Sequence, residues 1–133
     1  MTPATINKPA AKVLEALIER ARANDGHIKI KNDPYMPLCV EILACDLSRK
    51  YVSVSVCHYG EQNGDLMRDP EMVFLRDKDG RFFPTYFLQD GGLGFEQESA
   101  DVGMGTFQPA MQAEHASFAN LWMKNIREQQ HLN

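Results

Sequence analysis

The chain has 133 residues, 44% of them hydrophobic and 24% charged, with a formal net charge of −4. That composition predicts one soluble globular domain, 1–133, large enough to fold around its own core. No apolar run nears the ~20 residues that span a bilayer, the acidic balance opposes phosphate-backbone binding, and the start carries no leader pattern, so neither membrane nor nucleic acid is expected as a partner and a cytoplasmic location is the default.

Residues 1–7 are expected to fray, with Thr5 or Asn7 as a helix cap and Pro9 in the first turn. Val13, Leu14, Leu17, Ile18 and Ala21 recur at helical spacing, with Glu15, Glu19, Arg20 and Arg22 on the other side. Asn24-Asp25-Gly26 ends this helix, with Gly26 suited to a left-handed cap. His27 to Lys31 has the alternation of a short strand, broken by Asn32-Asp33-Pro34.

Leu38 to Cys45 reads as a strand, and Tyr51 to His58 as a stronger one. Val52, Val54 and Val56 alternate there with Ser53, Ser55 and Cys57, the pattern of a sheet with one buried face. The serines are expected at solvent. Matching the apolar faces pairs Ile42 with Val54, Val40 with Val56, Ala44 with Val52 and Cys39 with Cys57. Asp46 to Lys50 makes the connecting turn. Cys39, Cys45 and Cys57 form no Cys-x-x-Cys pair, so reduced thiols are expected rather than a zinc site or a disulfide framework. If Cys39 and Cys57 occupy a non-hydrogen-bonded pair, an oxidant could link them.

His58 to Met72 then concentrates polar residues between two strands and reads as a long ordered loop. Met72 to Arg76 is the next strand, Asp77 to Gly80 a turn, and Arg81 to Leu88 an aromatic strand that Pro84 confines to an edge or a bulge. Gly91-Gly92-Leu93-Gly94 lacks the ending of a phosphate-binding loop and reads as a hairpin turn. Phe95 to Ser99 is a possible fifth strand. Asp101 to Gln108 connects to a last helix, from about Pro109 to Gln129, with Met111, Phe118, Leu121, Trp122 and Ile126 on one face. Gln129 to Asn133 should fray. The expected fold is α+β: an antiparallel meander of four to five strands, with an N-terminal and a C-terminal helix packed on one face.

The candidate surface is the loop: His58, Tyr59, Glu61, Asn63, Asp65, Asp69 and Glu71. Within it four carboxylates face one arginine, Arg68, an acidic patch suited to specificity and on-rate. Tyr59 with Phe83 and Phe87 would form an aromatic platform on the uncovered sheet face, open to a protein partner or a second copy. A rival use of the loop is metal chemistry, with His58, Asp65 and Asp69 as nitrogen and oxygen ligands of a hydrolase or nuclease. The spacing fits no EF-hand, and no cofactor is expected. Cys57 and His58 are neighbours on a strand, point to opposite faces, and so do not share a proton.

At His58-Tyr59, Glu61 to Asp65 and Asp69 to Met72 the chain resembles a family of small uncharacterised proteins from bacteria, their plasmids and their phages. The shared feature is a His-Tyr-x-Glu-Gln-Asn-Gly-Asp loop, then Asp-Pro-Glu and an aromatic strand. The likeness spans Leu17 to about Trp122. Gly60 stands where the family pattern leads one to expect an aromatic residue. The resemblance implies no activity and no catalytic residue; its mobile-element setting implies an accessory or anti-defence protein. The expected function is therefore a non-enzymatic interaction protein with an unknown protein partner.

Overall fold

A computed structural model describes residues 2–46, 51–91, 94–101 and 105–130. The expected turn at 47–50, the middle of the glycine loop at 92–93, part of the connection at 102–104 and the terminal 131–133 lie outside these residues. The element order is α1 (Lys8–Arg22), β1 (His27–Ile30), β2 (Leu38–Asp46), β3 (Tyr51–Gln62), β4 (Asp65–Arg76), β5 (Phe82–Gln89), β6 (Phe95–Glu98) and α2 (Pro109–Gln129). The strands form one antiparallel sheet in sequence order. The α+β class and both helices are as expected. The strand number is corrected to six: the short stretches at 27–30 and 95–98 both pair as edge strands.

Each terminal feature of α1 follows from local chemistry. Asn7 caps it, its side-chain oxygen accepting the Ala10 N–H at 2.9 Å. Gly26 at φ +91° closes the end, where its N–H reaches the Ala21 carbonyl at 2.7 Å. The five predicted α1 residues are all buried. They meet Val40, Val54, Val56, Met72, Phe74, Phe82 and Phe87 of the sheet and Ala119, Trp122, Met123 and Ile126 of α2 in one core. Both helices therefore cover the same sheet face. Residues 2–7 do not fray as expected. Ile6 is buried against this core, and the Ala4 and Asn7 N–H groups donate to Gln112 and Asn120 of α2, each at 2.8 Å.

Three irregularities set the side-chain directions. On β2 the expected register holds from Cys39↔Cys57 to Ile42↔Val54, then shifts: Ala44 faces Ser53, and Cys45 rather than Ala44 faces Val52. Leu43 is the extra residue. On β4, Asp69 and Pro70 together oppose His58, because Cys57 pairs with Glu71 and Tyr59 with Arg68. On β5, Val73↔Tyr86 is followed by Phe74↔Pro84, leaving Thr85 as the extra residue. Pro84 is thus at a bulge, as expected, inside the sheet rather than at its edge. The Thr85 bulge also shifts the pleat. Phe82 and Phe87, five positions apart, both enter the helix-side core, so Phe87 leaves the expected platform.

The final helix is rotated from its predicted phase. Its buried residues are Gln112, His115, Ala116, Ala119, Trp122, Met123 and Ile126, while Phe118 and Leu121 are exposed, Leu121 by 60%. Gln112 is tolerated inside because its carbonyl oxygen accepts from Ala4 and its amide donates to the Pro84 carbonyl at 3.0 Å.

Candidate functional site

The stretch His58 to Met72 is not a loop. β3 continues to Gln62, β4 begins at Asp65, and only Asn63 and Gly64 turn the chain. Their φ values of +54° and +85° are those of a two-residue hairpin turn of the primed kind, which Asn-Gly favours. β2 starts opposite His58, and β5 reaches only to Glu71, with Asp90 N–H bonded to the Arg68 carbonyl beyond it. Residues 60–67 therefore overhang the sheet as a two-stranded arm.

Strand pleating then divides the candidate residues among three places. His58 and Asp69 turn to the helix side, Tyr59, Glu61 and Glu71 to the open side, and Asn63 and Asp65 stand at the exposed tip. His58 is 5% exposed and accepts the Trp122 indole N–H on Nδ1 at 3.1 Å. Its proton therefore sits on Nε2, which is buried and has no hydrogen-bond partner among the described residues. Burial holds the His58 pKa below the usual imidazole value, against the opposing pull of Asp69. Asp69 accepts from the Gln89 amide at 2.7 Å. His58, Asp65 and Asp69 are not brought to one point. Among the described residues, no group of three or more His, Cys, Asp or Glu side chains is placed to hold a metal ion.

On the open side, Glu71 accepts the Ser55 hydroxyl at 2.7 Å and lies 3.6 Å from Arg68. Arg68 makes a two-pronged pair with Asp90, at 2.9 and 3.3 Å. That pairing, with the Arg68 backbone N–H, holds the Asp90 carboxyl below the usual range. The Tyr86 hydroxyl donates to Glu96. Ser55, bonded to Glu71, and Ser53, between Ala44 and Leu75, are buried rather than exposed as expected. Cys57 is buried too. Burial, ahead of the other influences on it, pushes its thiol up to about 12, so Cys57 is protonated and chemically quiet. Cys39 and Cys57 are cross-strand partners, as expected, but not of the expected type. The Tyr59 N–H donates to the Pro37 carbonyl, which by alternation makes Cys39↔Cys57 a hydrogen-bonded pair, with its side chains farther apart. That spacing disfavours a disulfide.

Sequence reasoning missed the apolar part of this surface. Leu66 on the arm is 69% exposed, and Tyr35 and Met36, in the segment before β2, are exposed as well. The three share an open cleft of about 540 Å³ with Pro37, Tyr59 and Gly60. Gly60 has a steric role: a β-carbon there would stand 3.3 Å from the Met36 sulfur. Its lack of a side chain lets Met36 lie against the arm. A second cleft on the same side, about 500 Å³, is lined by Leu43, Ala44, Val73 and Ala100, with Glu71 and Glu98 among its polar walls. The only signal in the chain for the first cleft was an apolar pair inside a proline-bounded turn, Pro34 to Pro37.

No helix among the described residues is long and apolar enough to cross a membrane. No curated protein and no solved structure matches the chain. A family model described as a domain of unknown function, DUF6908, matches residues 11–132, and the chain belongs to that uncharacterised family.

Proposed function

We propose that this protein is a non-enzymatic interaction module whose contact surface is the arm end of the open sheet side. The observation that carries the reading is the exposed trio Leu66, Tyr35 and Met36 around one cleft. Large apolar side chains grouped at a surface mark contact sites more often than singly exposed ones do. Tyr59 and Glu61 line the same cleft, and Asp65 stands at the tip beside it. A hairpin already held by its turn and ladder loses little entropy on docking. Exposed Glu61 and Asp65 add a field that speeds encounter and weakens in salt. Within this reading Asn63 shapes the turn, Glu71 ties the open face together, and His58 and Asp69 support the arm from the helix side. The His58 to Met72 motif, shared in resemblance with plasmid- and phage-borne proteins, supports an accessory role in a mobile element.

Calorimetric titration with Mg²⁺, Mn²⁺ and Zn²⁺ separates this reading from a metal-dependent hydrolase or nuclease. The expected result is no stoichiometric heat with any of the three. Stoichiometric binding that disappears in Asp65→Ala would overturn the contact reading and favour metal chemistry.

A further inference from the structure

We infer that the open sheet side receives an extended protein segment in which an apolar side chain is flanked by lysine or arginine. The inference rests on the contact reading above and names the class of partner.

Two apolar depressions lie on this side. One holds Leu66, Tyr35 and Met36; the other is floored by Val73, Leu43, Ala44 and Ala100. Leu66 and Val73 are on one strand, β4, seven positions apart. At about 3.3 Å per residue the two depressions are roughly 23 Å apart, the span of an extended segment of about seven residues. A helix of that many residues covers less than half the distance, about 10 Å.

Charge selects the kind of segment. Pairing and pleating put Glu41, Glu61, Glu71, Glu96 and Glu98 on this side. Among the described residues the positive groups there are Lys29, Arg68 and Arg81; Arg68 is engaged by Asp90 and Glu71, and Arg81, stacked on Phe83, is engaged by Asp77. Glu41 and Asp25 line a further depression that shares Lys29, Cys39 and Tyr59 with the Leu66 cleft, which extends the acidic border along β2. Such a surface attracts a basic segment and repels acidic peptides, nucleic acid and anionic membranes alike. The apolar depressions supply the anchor, and the carboxylates supply selectivity.

The test uses a random library of peptides about twelve residues long, enough to cross both depressions when extended, selected on the purified full chain. Peptides that emerge are remeasured by fluorescence anisotropy against wild type, Leu66→Ser and the pair Glu61→Lys with Glu98→Lys. All three positions are exposed, so folding is spared. The expected result is enrichment of Leu, Ile, Phe or Tyr beside Lys or Arg. Binding should fall about tenfold or more in Leu66→Ser, equivalent to about 1.4 kcal/mol, and by a similar factor in the charge-reversed pair. Peptides that lose affinity in Leu66→Ser but carry neutral or acidic flanks would overturn the partner class and leave the contact surface standing. Peptides indifferent to Leu66→Ser, or no enrichment at all, would overturn both.

Discussion

His58 shows how one residue can be misread from its neighbours in sequence and understood from its neighbours in space. It stands in an acidic, polar stretch that suggests a metal ligand, yet its ring packs edge-on to Trp122, with centroids 5.5 Å apart. The opposition of Cys57 and His58 was legible, because strand alternation is a local rule. The partner was not: Trp122 lies 64 positions away, and nothing local names it. His115 on α2 is also buried, its Nε2 donating to the Gln97 side-chain amide oxygen at 2.9 Å, and its pKa is lowered by burial. Protonating His58 on Nδ1 sets one donor against another. Both imidazoles have folded pKa values below the unfolded value of 6.5. The unfolded chain therefore binds protons first as pH falls. Their stabilising contribution is complete above 6.5 and is lost as pH drops through that value toward the lowered folded ones. Thermal midpoints should accordingly fall between about pH 7.5 and 5.5, a window set by imidazole titration. In His58→Gln with His115→Gln the slope should flatten. An undiminished slope in that pair would mean that other groups control acid stability.

At the scale of elements, the long strands and α1 were legible because their alternation and 3.6-residue period are unbroken. The arm was missed for a physical reason. Density of polar residues suggests a loop, whereas an overhanging hairpin is polar because both its faces meet water. Asn63-Gly64 carried the correct signal, since few other pairs adopt two successive positive φ values. Bulges at Leu43, Asp69-Pro70 and Thr85 were beyond reach, apart from the hint at Pro84, because they answer to the partner strand. The same limit explains α2. Its buried face combines Ala116, Ala119, Trp122, Met123 and Ile126 with the hydrogen-bonded Gln112 and His115, and leaves Phe118 and Leu121 outside. The turn can be tested alone. A β-carbon on Gly64 meets nothing within 4 Å, so Gly64→Ala carries only the conformational cost of φ +85°. Stability should fall by about 1–2 kcal/mol in urea unfolding. A neutral substitution would show that the arm does not depend on the primed turn.

For the molecule as a whole, alternation in the sequence implies a sheet with one covered face, and the structure shows what lies on the other. Helices, the N-terminal arm at Ile6 and the valine row build the core on one side. The opposite side keeps carboxylates, two apolar clefts and the overhanging arm. Contact at the arm end of that side is the central claim, and site-specific photocrosslinking tests it most directly. Benzoylphenylalanine placed at Leu66, and separately at Lys12 on the outer side of α1, is irradiated in cells that naturally make the protein; both positions are exposed. The account predicts a discrete protein adduct from position 66 and none from position 12. No adduct at 66, or equal adducts from both positions, would contradict it.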